Sequence, residues 1–295
     1  SYGGGVFEFF DGQFKARFTD TISSLGNAIP GAPYVRIGGM TFDKSGNLWV
    51  TSCEAKNNNA VSVRKANGEW KGFAYRTAMN CNEVGDIIVT KNNHKWIILP
   101  RGKGLFAFSE NGTIDDETDD SKLYISIINE LGEPITNEVY AIAEDKDGVI
   151  WVGTNKGIVV YYTPETVFDG GTVYGQQIKI PNEIPGQANY LLEAETVTAI
   201  AIDGANRKWF GTESGGAFLM SSDGTTQILH FSKDNSSLIS NNITGITIDP
   251  ESGEVYFATD KGVVSFRGTA TDATDYFHNV LVFPNPVKPG YEGVI

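Results

Sequence analysis

Small and large apolar residues alternate from Val139 to Ala143, stop at a turn, Asp145-Lys146-Asp147-Gly148, and a second strand follows as Ile150-Trp151-Val152-Gly153-Thr154. A third apolar run opens at Gly157 and continues to Tyr162. Period-two patterning cut by Asp/Gly turns predicts strands joined by tight hairpins. The stretch therefore reads as three strands and two hairpins.

The same pattern recurs along the chain. Aligned on the bulky aromatic of the second strand, copies centre on Trp49, Trp96, Trp151, Trp209 and Tyr256, at steps of 47, 55, 58 and 47 residues. A repeat of roughly 40–50 residues is the mark of a repeat architecture. The turn positions support the alignment independently. Gly148 of the third copy is matched by Asn93 in the second and Asn206 in the fourth, and the fifth keeps Asp249 and Gly253 with one extra residue. Gly and Asn adopt positive φ most readily, so a left-handed residue is predicted at each turn. Third strands restart at or near Ala60, Gly104, Gly157, Gly216 and Gly262, and four of them run into Asn67-Gly68, Asn111-Gly112, Asp169-Gly170 and Asp223-Gly224. Such pairs are hairpin signals, so each unit reads as a four-stranded meander.

A lone meander of this length cannot bury both its faces. Radial stacking buries them and leaves only short edges, which predicts an all-β fold, a β-propeller of four-stranded antiparallel blades. First strands rich in Gly and Ala suit the crowding near a propeller axis. Gly3 to Gly12 matches Gly215 to Gly224, the second half of the fourth copy, so the chain is expected to begin in mid-blade. Five complete repeats plus this partial one imply a parent ring of six or seven blades. Residues 1–280 are expected to be propeller. Residues 281–295, with Pro284 and Pro286 after a short apolar run, are expected to open a second domain, because proline cannot continue a central strand.

The connections differ in character. Residues 20–34 form a Gly/Pro/Ser-rich link and 54–59 a polar loop. The run from Asp115 to Asp120 is expected to be a solvated loop, with a calcium site the alternative. Residues 163–196 are the longest insertion, in which 191–195 is expected to form a turn of helix. Trp70 lies outside the repeated tryptophan series and is read as an exposed aromatic near an outer strand. The repeated tryptophans are read as packing between blades.

Composition narrows the function. A 295-residue chain that is 40% hydrophobic can fill one large β domain. A net charge of -13 argues against nucleic acid and against electrostatic attachment to an anionic membrane. No apolar run approaches the length of a membrane span. Cys53 and Cys81 belong to loops at the same end of the meander. They either pair, closing a loop worth roughly 3–4 kcal/mol in the chain-entropy model, or remain partly buried thiols.

Catalytic patterns are not found. His94, His230 and His278 lack metal-ligand spacing, and no nucleophile elbow, phosphate loop or zinc-protease motif occurs. The Asp-x-x-Gly turns resemble the Asp boxes of sialidase propellers, yet side-chain-to-backbone bonds explain Asp43, Asp145, Asp203 and Asp249. No enzyme activity and no cofactor is expected. A ligand would meet the loops between second and third strands, which carry Asn57, Asn58 and Asn59, Arg101, Lys103, Lys156, Glu213 and Lys261. Several cations at one mouth would hold an anionic group by charge-assisted hydrogen bonds. The alternative is a set of solvated turn residues.

The unit Asp145-x-x-Gly148-x-x-Trp151-Val152-Gly153-Thr154-Asn155-x-Gly157 resembles the two-component regulator propeller repeat of Bacteroidetes sensor proteins. The segment Asn279 to Val287 looks like the opening of the C-terminal sorting domain of type IX secretion. With Asp203 to Trp209 and Phe231 to Asn242, the chain is similar to propeller proteins of that secretion system. The resemblance implies a cell-surface or periplasmic protein with a β-sandwich after the propeller. Its implied partners are secretion or attachment proteins, or an anionic glycan such as lipopolysaccharide. It carries over no catalytic residue. The alternative is the periplasmic, oligosaccharide-binding domain of a hybrid two-component histidine kinase.

Overall fold

Four of the five repeats, all but the second, open their first turn with a carboxylate. In the computed structural model, which describes residues 2–181 and 188–272, Asp145 Oδ1 accepts the amides of Asp147 and Val149, each at 2.9 Å. Its Oδ2 accepts Trp151 Nε1 at 2.9 Å. Asp43 repeats the scheme with the amides of Ser45 and Asn47 and with Trp49 Nε1, all at 2.9 Å. One oxygen closes the hairpin and the other holds the indole of the second strand. The left-handed residue falls where the Gly/Asn alternation places it: Gly46, Asn93, Gly148, Asn206 and Gly253 have φ of 79, 63, 85, 60 and 71°.

The meanders are present. Blade one contains Val35–Phe42, Leu48–Cys53, Val61–Arg64 and Trp70–Phe73, with Tyr2–Gly3 added to its inner edge. Blade two contains Ile87–Val89, Lys95–Leu99, Gly104–Ser109 and Ser121–Ile125, and blade four Val197–Ile202, Lys208–Thr212, Ala217–Met220 and Gln227–Phe231. Pairing within the blades is antiparallel. Blades three (Val139–Glu144, Ile150–Thr154, Gly157–Tyr161) and five (Ile243–Ile248, Glu254–Thr259, Gly262–Arg267) depart from the four-strand expectation with three strands each. In blade three the long insertion leaves Gln176 alone in the outer place, bridged to Val160. Val6–Phe10 and Gln13–Phe18 form a separate hairpin, the half-blade that the match to the fourth copy predicts.

The motif Trp-x-Gly-Thr joins one blade to the next. Trp49, Trp96, Trp151 and Trp209 are at most 2% exposed and fill successive inter-blade cores. Burial of large apolar side chains contributes on the order of 1.5–3 kcal/mol each. At the glycine the next blade's first strand comes close: a Cβ on Gly153 would lie 2.7 Å from Val197 O, and one on Gly211 2.5 Å from Ile243 Cγ2. The threonines then close the following turn, with Thr154 Oγ1 donating to Gly157 O at 2.9 Å and Thr212 Oγ1 to Gly216 O at 3.0 Å.

Two local expectations change. Residues 191–195 make two successive turns, with Glu193 N donating to Tyr190 O and Glu195 N to Leu192 O, because Leu192 at φ 54° cannot continue a helix. The helical turns lie instead at Arg76–Met79 and Pro164–Thr166. Trp70 is half-buried: the N-terminal hairpin covers blade one, and Phe18 lies 5.3 Å from the indole between ring centroids. The acidic run is largely exposed, as expected of a solvated loop, and touches blade one through Asp115 and Glu117, which lie 2.7 Å from Lys65 and from Lys71 respectively. Asp120 is buried there and accepts the Tyr75 hydroxyl. Among the described residues no group of three or more His, Cys, Asp or Glu is placed to hold a metal ion. The expected opening of a second domain at 281–295 lies outside the described residues.

Candidate functional site: a cationic cleft between blades one and two

In a meander the second-to-third turns and the fourth-to-first loops share one face, and two of them meet here. After Trp70–Phe73 the chain leaves blade one through Tyr75, turns once as Arg76–Met79, and stops at Asn80, which is left-handed at φ 49°. Tyr75 and Met79 are buried and anchor this turn. Opposite stands the second-to-third turn of blade two, where Arg101 takes φ 58° and Gly102 φ 70°. Between them lies an open cleft of about 500 Å³ lined by Arg76, Thr77, Asn80, Glu83, Arg101 and Lys103 among others.

The electrostatics of the lining are set by three cations and one carboxylate. Arg101 Nε lies 2.9 Å from Glu83, but its side chain is 80% exposed, so the pair is worth little to stability. Arg76 donates to Ala55 O and, at 3.5 Å, to Asn58 Oδ1, while its Nε is buried with no acceptor among the described residues. Arg76 presents a planar fork suited to a carboxylate or phosphate. Cations of this kind, in a protein of net charge -13, suit capture of an anionic group.

At the cleft, whose lining includes Cys81, the two cysteines are free thiols, the second of the two alternatives that the sequence left open. Cys53 Sγ donates to Val84 O at 2.7 Å and Cys81 Sγ to Glu83 O at 2.9 Å; each thiol is held by a carbonyl of the segment just after Cys81. Burial pushes the Cys53 thiol up, with smaller contributions from Glu83 and Glu54, so it stays protonated at neutral pH.

The other sequence candidates do not gather here. Asn57 Nδ2 and Asn59 Nδ2 donate to Ser24 O at 3.1 and 2.9 Å and tie down the 20–34 link. Lys156 Nζ donates to Ile135 O at 3.0 Å on blade three. Glu213 and Lys261 are exposed in the corresponding turns of blades four and five. Of the expected cations, only Arg101 and Lys103 share a cleft, and Arg76 joins them unforeseen. Its signal was the fourth-to-first loop, which the topology puts on this same face. His94 packs edge-on against Phe168, and His230 stacks on Phe218 with Nε2 2.7 Å from Gly215 O, both away from the cleft; His278 lies outside the described residues.

Comparison with known proteins agrees with the fold. The model of the two-component regulator propeller family matches residues 134–156. No curated protein matches the chain significantly. The solved structure of PorZ, a surface component of the type IX secretion system of Porphyromonas gingivalis, is 30% identical over 90% of this chain, with a TM-score of 0.82. The extracellular domain of the candidate hybrid two component system BT3049 from B. thetaiotaomicron is 21% identical over 83% of this chain, at 0.55, and shows the fold alone. The chain spans only 36% of the PorZ chain and 28% of the BT3049 chain. No helix among the described residues is long and apolar enough to cross a membrane. The chain is a β-propeller that carries the two-component regulator propeller repeat and resembles PorZ across nine-tenths of its length.

Proposed function

We propose that this propeller belongs to a non-enzymatic interaction protein of the bacterial cell surface, related to type IX secretion, and that the blade one–two cleft captures an anionic group of a surface glycan. The observation that carries the reading is the 0.82 TM-score at 30% identity to a surface component of that system. The cleft supports it with Arg76, Arg101 and Lys103 around an open mouth on an acidic chain. The site is a binding site in this reading, and its ligand is a phosphate- or carboxylate-bearing glycan such as lipopolysaccharide. The protein then resides at the outer-membrane surface or in the periplasm.

Arg101→Glu/Lys103→Glu is expected to weaken binding of purified lipopolysaccharide at least tenfold, about 1.4 kcal/mol, measured on immobilised protein. Binding by the parent should also fall as salt rises, since the contacts are exposed charges. Equal binding by parent and variant would remove the cleft assignment. No binding by the parent, together with a mature protein absent from the envelope, would remove the surface reading itself. The match to the two-component repeat keeps a periplasmic sensor domain as the second reading. Kinase peptides in the mature full-length protein would favour it.

A further inference from the structure

Among the described residues blade five has three strands, and its third strand differs from those of the four-stranded blades. Gly104–Ser109 and Ala217–Met220, which lie beneath a fourth strand in blades two and four, are buried at every position. In Gly262–Arg267 exposed and half-buried positions mix, and Val263 is 65% exposed. No described strand pairs with its outer edge. An edge of this kind is a row of unpaired backbone groups that templates another strand.

Beside the edge lies an apolar hollow of about 260 Å³, lined by Phe231 and Leu238 on the side of blade four and by Phe257, Val264 and Phe266 of blade five. A strand added here gains backbone partners from the edge and an apolar recess for alternate side chains.

The complete blades show what a fourth strand must carry. Just after the restarts at Ala60, Gly104 and Gly216, Val61 pairs with Phe73, Leu105 with Ile125, and Ala217 with Phe231. Each partner is bulky and apolar and belongs to the core shared with the next blade. One further stretch has this form: Asn279-Val280-Leu281-Val282-Phe283, which lies outside the described residues, matches Gln227-Ile228-Leu229-His230-Phe231 of blade four. Residues 268–278 separate it from Arg267, a connection as long as residues 110–120 between the third and fourth strands of blade two.

The chain also departs from the required end of the blade. Gly268 N donates to Gly253 O and Asp272 N to Pro250 O, each at 3.0 Å, so residues 268–272 lie against blade five's own first turn, the end from which fourth strands start. Pro284 then follows, and proline is tolerated at the limit of an edge strand.

We propose that residues 279–283 form the fourth strand of blade five, antiparallel to Gly262–Arg267 and in the register of blade four. Phe283 then stands opposite Val263, Val282 opposite Val264 and Leu281 opposite Ser265. Val282 covers the hollow on the face of Val264, while Leu281 and Phe283 extend the face of Val263. The boundary expected at residue 281 moves to Pro284, and residues 284–295 leave the propeller on the face of the cationic cleft. The inference rests on blade five and is independent of the glycan reading.

The test is mild oxidation of the full chain carrying Ser265→Cys and Leu281→Cys, with the bridge located by peptide mapping. Opposed residues of an antiparallel pair have Cα atoms about 4.5–5.5 Å apart, within disulfide reach, so a bridge within one chain should form in most of the protein. Ser265→Cys/Val282→Cys puts the second thiol on the other face of the strand and should bridge at least tenfold less. Amide exchange supplies a second measurement without new thiols. Residues 262–267 should be protected in the parent and should exchange at least tenfold faster in Val280→Asp/Val282→Asp, which sets carboxylates against an apolar hollow. Unchanged protection in blades one to four verifies that this variant is folded. The proposal is overturned if the 265–281 bridge fails to form or joins two chains, or if the control pair bridges as readily. It is equally overturned if residues 262–267 exchange alike in parent and variant.

Discussion

Lys208→Ala destabilises the propeller by about 3–5 kcal/mol, measured by denaturant unfolding, because it leaves a buried carboxylate without its counter-ion. Lys208 and Asp145 are 0% and 3% exposed and lie 2.9 Å apart across the blade three–four interface. The ammonium also donates to Asn206 O and Ser222 O and sits 4.7 Å from the centre of the Trp151 ring. Nothing else nearby replaces three donors and a cation at once. Lys208→Met/Asp145→Asn should recover part of the loss, since replacing both charges avoids the unpaired one. A loss under about 1 kcal/mol for Lys208→Ala would mean that water reaches the pair and screens it.

The same pair sets an acid sensitivity. Burial alone would raise the Asp145 carboxyl, but Lys208, Trp151 Nε1 and the Val149 amide outweigh it and hold the carboxyl below its ordinary 3.8. A depressed folded value contributes stability above pH 3.8 that is lost as the pH falls below it. Asp43, lowered by Trp49 and Asn47 against the opposing effect of burial, acts in the same direction. Unfolding curves should therefore show the parent losing stability faster than Asp145→Asn below this pH.

Trp49→Ala costs about 3–5 kcal/mol as a buried large-to-small change. It also removes a cation–π contact, since Lys95 Nζ lies 4.3 Å from the ring centre. Lys95 is fully buried and paired with Glu110, so loss of the ring leaves its ammonium worse solvated. The informative comparison is with phenylalanine. Trp49→Phe keeps a ring beneath Lys95 but leaves Asp43 Oδ2 without its indole donor, an expected cost of about 1–3 kcal/mol beyond packing. Trp96→Phe gives up no protein hydrogen bond, because its indole has none among the described residues. Thermal unfolding of the two variants should rank Trp96→Phe as the milder change. The reverse order would show that packing rather than the indole bond dominates at this repeat position.

The contrast between these tryptophans was partly legible. Asp stands six residues before Trp49, Trp151 and Trp209, while Thr90 stands six before Trp96, and the exception is visible in the aligned copies. Its meaning was not, because nothing in the alignment says that Asp Oδ2 reaches the indole. Lys95 and Lys208 directly precede their tryptophans, where Ile150 and Val255 hold the equivalent places. Only the stacked blades show that both lysines face an Asp-bearing blade, numbers one and three.

The cleft divides in the same way. Arg101 and Lys103 were recognisable as loop cations near one mouth. Lys156 looked equivalent, yet its ammonium is turned back to Ile135 O. Arg76 was missed because its loop belongs to the preceding copy, 25 residues before Arg101 in the chain.

By itself, the sequence determined the repeat, the strands, the left-handed turn residues and the half-blade at the N-terminus. Strand alternation and the sign of φ are properties of neighbouring residues, so a local pattern carries them. Only the tertiary structure decided that Asp145 meets Lys208, that Arg76 faces Arg101, that Phe18 covers Trp70, and that the two thiols stay apart. Each of these depends on how one blade is rotated against the next. That rotation is set by packing of the inter-blade cores and by close approach at Gly153 and Gly211, which spacing along the chain does not record.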